Sequence, residues 1–120
     1  MENSKDGNKQ IQRRLNPETL KLLEKKGADL RKRHEIINVF NLFDYKAIEN
    51  LSRLLENAEF KIIGVTKMDD SIDSVYWSLD AMVDQIPDID NINQMTDLCV
   101  DLVATVDAAD YDGWYTQPVD

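Results

Sequence analysis

Several residue types that common functional sites require are scarce in this chain. It has one cysteine, Cys99, and one histidine, His34, so neither an internal disulfide nor a site with two histidine ligands can form. The Gly-rich phosphate-binding motifs are absent. No apolar run approaches the ~18 residues of a membrane span, and residues 1–10 lack the apolar core of a secretory signal. We therefore expect a cytoplasmic protein without a cofactor.

Residues with the pattern of a catalytic site are equally few. Cys99 shares an apolar helix stripe with Met95 and Leu102, which predicts a buried and inert thiol. His34 follows a short basic run and is expected at the surface or at a strand edge. The acids of residues 69–73 lack the spacing and the glycine of a calcium loop, so we expect a solvated turn and no metal. We expect no enzyme activity, and a small carboxylate-based enzyme is the alternative from another class.

Charge is distributed unevenly along the sequence. Residues 1–60 hold 12 Lys and Arg against 10 Asp and Glu, a net charge of +2. Residues 61–120 hold 2 basic residues against 13 acidic ones, a net charge of −11, and the whole chain carries −9. An acidic surface repels the phosphates of nucleic acid and attracts basic proteins. The sequence therefore predicts a basic protein as partner, with no direct nucleic-acid contact and no membrane contact.

The N-terminal part of the chain is predicted to be an appendage. Residues 1–15 are polar and of mixed charge, which indicates a disordered or loosely held tail. Asn16 and Pro17 then suit the N-cap and the first position of a helix, and Gly27 suits its C-terminal end. We expect residues 16–120 to form a single domain, with this short helix packed on its outside.

Apolar periodicity divides the rest of the chain into strands and helices. Alternating apolar residues predict strands, and apolar residues three or four positions apart predict helices. The predicted order is strand 35–43, helix 45–57 capped by Asp44, strand 60–67, loop 68–74, strand 75–86, helix 91–106 and strand 114–116. Two β-α-β halves with helices on one face describe an α+β fold, a ferredoxin-like β-α-β-β-α-β sandwich with an extra N-terminal helix.

The C-terminal stretch Asp110-Tyr111-Asp112-Gly113-Trp114-Tyr115-Thr116 is the most distinctive in the sequence. Its three aromatic residues are each large enough to anchor a core. Asp112-Gly113 has turn composition because glycine tolerates a positive φ, and the residues after it have strand composition. We expect a turn followed by a final strand that Tyr111 and Trp114 attach to the core.

The string Tyr111-Asp112-Gly113-Trp114 after a helix resembles the closing motif of the RraB family. Less specific similarities are Asn41-Leu42-Phe43, the apolar helix stripe around Leu51, Ala58-Glu59-Phe60-Lys61-Ile62, where the family commonly has Gly in place of Glu59, and Tyr76-Trp77. RraB proteins bind and inhibit ribonuclease E, so the resemblance implies a non-enzymatic, protein-binding ribonuclease inhibitor. An immunity protein that neutralises a cationic toxin nuclease is the alternative within the same class.

Seven aspartates are the candidate contacts for a basic partner, a ribonuclease or a toxin nuclease. Asp80 and Asp84 fall on one face of the third strand. Asp97 and Asp101 lie four residues apart on a helix face, where their charges repel each other. The predicted loop contributes the remaining three, Asp69, Asp70 and Asp73. We expect the sheet face that the helices leave open to form the interface, and the sequence leaves the oligomeric state open.

Trp114 provides a test of the predicted C-terminal anchor. The substitution Trp114→Ala should lower the free energy of unfolding by roughly 3–5 kcal/mol, the usual cost of removing a core aromatic ring. Denaturant or thermal melting of the two proteins measures the difference. A melting curve identical to that of the wild type would place Trp114 outside the core.

Overall fold

The computed structural model describes residues 4–71 and 74–116, and it places the side chains of residues 8–69 and 75–116. Within these residues the chain order is α1 (Ser4–Lys25), β1 (His34–Leu42), α2 (Tyr45–Asn57), β2 (Lys61–Ser71), β3 (Ser74–Gln85), α3 (Ile89–Ala104) and β4 (Ala109–Tyr115). The strands form one antiparallel sheet in the order β2-β3-β1-β4. The predicted ferredoxin-like β-α-β-β-α-β arrangement with an N-terminal helix is confirmed.

The core lies between the helices and one face of the sheet. Ile36, Phe40 and Leu42 of β1 alternate with less buried residues and are themselves fully buried. They pack against the apolar stripes of α2 and α3, among them Leu51, Leu55, Ile92 and Cys99. The intervening residues of β1 therefore lie on the opposite face of the sheet.

Local capping sets the starts of both helices that cover the sheet. Helix α2 begins at Tyr45 as predicted, because the Asp44 carboxylate accepts a hydrogen bond from the Lys46 backbone N–H at 3.0 Å. Helix α3 begins at Ile89, before the predicted residue 91, because Asp88 caps it by accepting from the Asn91 N–H at 2.8 Å. After α2, Glu59 has a φ of 71°, in the left-handed region that glycine adopts most readily.

The prediction that the first helix begins at Asn16 and Pro17 is wrong. Helix α1 runs from Ser4 to Lys25 with Pro17 inside it, so it crosses the boundary drawn between a tail and the domain. Pro17 costs the helix one backbone hydrogen bond. Packing of α1 on α3 offsets that loss, since an amphipathic helix gains most of its stability from tertiary contacts. The predicted C-terminal end of this helix is confirmed, because Gly27 follows it with a φ of 96°.

Two predicted turns are parts of strands. β2 continues through Asp69 to Ser71, because its backbone pairs with β3 and places Asp69 opposite Val75, so the prediction of a loop from residue 68 is wrong there. Residues 72–73 lie outside the described part of the chain. Asp112-Gly113 lies within β4, where the register with β1 shifts and Gly113 has a φ of 114°. This dipeptide is a β-bulge rather than a turn before the strand.

The C-terminal strand lies at an edge of the sheet. β4 pairs with β1 alone, because the sheet order places it last. Tyr111 and Trp114 pack against the core cluster but remain half-buried.

Asn16 is the polar centre of the contact between α1, α3 and β4, and it is fully buried. Its Nδ2 donates to Asn93 Oδ1 at 2.9 Å and to Thr96 Oγ1 at 3.1 Å, both on α3. Its Oδ1 accepts from the Trp114 indole Nε1 at 3.0 Å and from Gln12 Nε2 at 3.1 Å. A buried polar group without a partner costs about 1–3 kcal/mol, so these bonds favour one position of α1.

Removing the Asn16 carboxamide should destabilise the whole domain. The substitution Asn16→Ala should lower the free energy of unfolding by about 1–3 kcal/mol, because the half-buried Trp114 indole N–H loses its acceptor and the buried Thr96 hydroxyl loses one of its two hydrogen bonds. The matched control is Asn8→Ala, at an exposed position on the same helix, and it should change stability by less than about 0.5 kcal/mol. Denaturant melts measure both variants, and equal stabilities would contradict a structural role for the network.

Candidate functional site

The sheet face opposite the helices carries the two candidate acids of β3. Antiparallel pairing places Asp80 opposite Val39 of β1 and Gly64 of β2, and it places Asp84 opposite Glu35. Residues directly opposite each other share a face of the sheet. We define the open sheet face by the residues that this pairing brings together: Glu35, Ile37, Val39, Asn41, Lys61, Gly64, Thr66, Ser78, Asp80, Met82, Asp84, Asp110 and Tyr115. Its basic residue, Lys61, is exposed.

Acidic and apolar side chains are mixed on the open sheet face. Its half-buried apolar residues are Ile37, Val39 and Met82, and Tyr115 is 45% exposed. Its acids are the half-buried Asp80 and the exposed Glu35, Asp84 and Asp110. Apolar residues together with polar and charged ones are the usual composition of a protein–protein interface.

Two acids of this face were missed by the sequence interpretation. Glu35 faces Asp84 across β1 and β3, and Asp110 faces Asn41 across β4 and β1. The alternation of β1 was a usable signal for Glu35. Asp110 had none, because the predicted final strand began at residue 114 and the observed strand begins at Ala109.

Asp80 and Asp84 differ in their contacts within the chain. The Arg33 guanidinium donates from Nε to Asp84 Oδ1 at 3.1 Å and from a terminal nitrogen to the Asp84 carbonyl oxygen at 2.6 Å. The two side chains are 66% and 52% exposed, and such surface pairs contribute only about 0–1 kcal/mol. A cation of a partner can therefore replace Arg33 at little cost. Asp80 has no ion pair with any described side chain.

The acids of the β2–β3 hairpin do not belong to the open sheet face as far as the structure describes them. Asp69 is exposed, but it lies opposite Val75, which shares its side of β3 with the buried Leu79. Asp70 lies in β2, and its side chain is not among those described. Asp73 lies outside the described residues.

The α3 acids face helix α1 and have partners within the chain. Arg13 donates from Nε to Asp97 Oδ1 at 3.1 Å and makes a second bond from its terminal nitrogen to Oδ2. Lys9 Nζ lies 2.7 Å from the Asp101 carboxylate. The hydrogen bond and the negative charge of Asp97 raise the pKa of Arg13 above its ordinary value. The structure thus separates Asp97 and Asp101 from the open sheet face.

The single histidine and the single cysteine of the chain are both buried. His34 is almost fully buried, contrary to its predicted surface position, because it points to the helix side of β1, where its Nε2 lies 3.0 Å from the Asp29 carbonyl oxygen. Cys99 is buried, as predicted. Burial raises the pKa of the Cys99 thiol and of Tyr111, whose hydroxyl donates to Asn38 Oδ1 at 2.7 Å. A protonated, inaccessible thiol is a poor nucleophile.

The described part of the chain also bears on two other kinds of site, a metal site and a membrane-spanning helix. There, no group of three or more His, Cys, Asp or Glu side chains is placed to hold a metal ion. Among the helices described, none combines the length and the apolar character that crossing a bilayer requires.

Reversing the charges of the two α3 acids should loosen α1. In the variant Asp97→Lys with Asp101→Lys, Arg13 and Lys9 face like charges, so the melting temperature should fall and amide hydrogen exchange in α1 should accelerate. The variant Glu56→Lys with Asp107→Lys changes the net charge equally at exposed positions and should melt like the wild type. Adding Arg13→Asp and Lys9→Asp to the α3 variant should restore the melting temperature. Unchanged exchange in α1 would contradict the role of these pairs.

Comparison with known protein families gives a match that includes the C-terminal motif at residues 111–114. No curated protein sequence matches the chain. The family described as regulator of ribonuclease activity B, RraB, matches residues 13–116. This span includes the whole sheet, α2, α3 and the part of α1 from Arg13 onward that holds Asn16. It also includes residues 111–114, which form the bulge of β4 and the indole contact with Asn16. Because the match covers most of its length, the chain belongs to the RraB family.

Proposed function

We propose that this protein is a non-enzymatic regulator that binds a ribonuclease directly and inhibits it through the open sheet face. The observation that carries the proposal is the group of four acids on that face, Glu35, Asp80, Asp84 and Asp110, beside the apolar Ile37, Val39 and Met82. Family membership supports a ribonuclease as the partner. The net charge of −9 supports a basic surface on that partner.

Inhibition follows from competition with RNA. A ribonuclease holds the phosphates of its substrate with Lys and Arg side chains. The carboxylates of the open sheet face offer negative charge to the same side chains, on a rigid surface. Long-range attraction accelerates the encounter, and contact with the apolar residues slows dissociation afterwards. The inhibitor supplies no chemical step, and we assign its action to the cytoplasm.

The remaining candidate acids receive different roles in this proposal. Asp97 and Asp101 hold α1 in place, because Arg13 and Lys9 already compensate their charges. The hairpin acids Asp69, Asp70 and Asp73 lie along β2 or next to it in sequence. They add to the negative field that attracts a basic partner, whichever side of the sheet they occupy.

Charge reversal on the open sheet face tests the proposal directly. The variant Asp80→Lys with Asp84→Lys should lose most inhibition of ribonuclease E, the target that the family resemblance implies. Loss of steering should lower the association rate more than it raises the dissociation rate. The control variant Glu56→Lys with Asp107→Lys has the same net charge and should inhibit like the wild type. Surface plasmon resonance and an RNA-cleavage assay measure the rates and the inhibition.

Salt provides the second arm of this experiment. Wild-type affinity should fall as ionic strength rises, because exposed charges are screened over about 8 Å at 0.15 M salt. Full inhibition by the sheet variant, together with a normal melting curve, would refute the placement of the interface. An affinity insensitive to salt would show that apolar contact, rather than charge, drives the association.

A further inference from the structure

Four of the nine aromatic residues of the chain form two ring pairs at one end of the sheet, one pair on each side of it, because Tyr76 and Trp77 are neighbours in β3. Phe43 and Tyr76 have ring centroids 5.9 Å apart, and Tyr45 and Trp77 have ring centroids 5.8 Å apart in an edge-to-face arrangement. Phe43 is 51% exposed and Tyr45 is 73% exposed, whereas Tyr76 and Trp77 are half-buried. We call these four residues the aromatic end.

Backbone structure holds the aromatic end in place. Phe43 follows the last residue of β1, and its N–H donates to the Ala108 carbonyl at 2.8 Å. Tyr45 is the first residue of α2, directly after the capping residue Asp44. Trp77 lies opposite Leu42 in the sheet, so the pairing of β3 with β1 holds Trp77 close to the segment that follows Leu42, which contains Phe43 and Tyr45. Rings that are already ordered lose little entropy on binding, so they are suited to anchor a partner.

Core packing accounts for Trp77 but not for Phe43 and Tyr45. Folding favours burial of large rings, yet Phe43 and Tyr45 leave half or more of their surface in water. Met68 lies opposite Tyr76 and extends the exposed apolar surface on that side of the sheet. Val75 is also exposed and lies on the other side, which it shares with Trp77. Contiguous exposed apolar surface marks interaction sites, and aromatic residues dominate the binding energy of such sites.

Charge indicates which chemical group the aromatic end can accept. The chain carries −9, so anionic partners are repelled. The exposed charges next to the rings in sequence or in register are Asp44, Lys46 and Lys67, so there is no local excess of negative charge. The aromatic end therefore selects by ring contact rather than by its own charge. A cation with a flat apolar face meets both conditions, and the arginine guanidinium is that group, because it stacks on aromatic rings where the compact lysine ammonium does not.

We propose that the aromatic end binds arginine side chains of the basic partner, while the acids of the open sheet face attract the partner without distinguishing arginine from lysine. This inference rests on the proposed function in one respect, the basic character of the partner. It adds a second contact region at the end of β1 and β3, with a preference that the acids alone do not produce.

Two synthetic peptides of equal length and charge test the preference. One carries arginines and the other lysines, each separated by glycine and serine, and fluorescence anisotropy gives both dissociation constants on the full-length protein at fixed salt. The wild type should bind the arginine peptide about 2- to 5-fold more tightly for each ring engaged. The variant Phe43→Ala with Tyr45→Ala should remove this difference and leave the lysine-peptide affinity unchanged. Leu22→Ala, which removes an exposed apolar side chain on α1, is the control and should preserve the difference.

The outcomes separate this inference from the proposed function. Asp80→Lys with Asp84→Lys should weaken both peptides by the same factor and keep their ratio. Equal affinities for the two peptides in the wild type, or an unchanged ratio in the Phe43–Tyr45 variant with a normal melting curve, overturn the inference. In that case, weakening of both peptides by the Asp80–Asp84 variant still supports the acidic interface. If the wild type prefers the arginine peptide and the Asp80–Asp84 variant binds both peptides like the wild type, the inference about the aromatic end is supported and the acidic interface is refuted. Absence of binding by both peptides refutes both proposals.

Discussion

The buried carboxamide of Asn16 is the constraint on which the arrangement of this molecule depends. It links α1 to α3 through Asn93 and Thr96, and it links both helices to β4 through the Trp114 indole. Each of these groups is costly to bury without a partner. These hydrogen bonds therefore stabilise one position of the N-terminal helix relative to others, even though Pro17 weakens that helix locally.

The position of α1 decides which acids are available to a partner. Once Asn16 is in place, Arg13 and Lys9 lie against Asp97 and Asp101, and these charges compensate each other within the chain. Part of the contrast between the basic first half and the acidic second half is thus used to hold the fold together. The acids of the open sheet face lie on other elements, β1, β3 and β4, and of these Asp84 forms a surface ion pair with Arg33. The N-terminal helix therefore shapes the proposed interface without belonging to it.

The sheet offers two kinds of contact that act over different distances. Carboxylates attract a basic surface from beyond contact range and are weakened by salt. Aromatic rings at the end of β1 and β3 act only on contact, and they depend on the shape of the group they meet. In the complex that we propose, the carboxylates set the rate of encounter and the rings favour arginine side chains. Both rest on a four-stranded antiparallel sheet whose helices cover a single face.

Local signals predicted what depends on neighbours in sequence. The Asp44 cap, the span of α2, the buried Cys99 stripe and the residues 111–114 that mark the family all follow from short-range propensity, periodicity or motif. Contacts between residues distant in sequence determined the features that local signals did not predict. They extended α1 through residues with tail-like composition, turned Asp112-Gly113 into a bulge opposite Val39, and placed Asp110 beside Asn41. The physical reason is that hydrogen bonds between strands and burial between helices join residues far apart in the chain, so no local pattern of apolar and polar residues encodes which acids end up paired and which stay free.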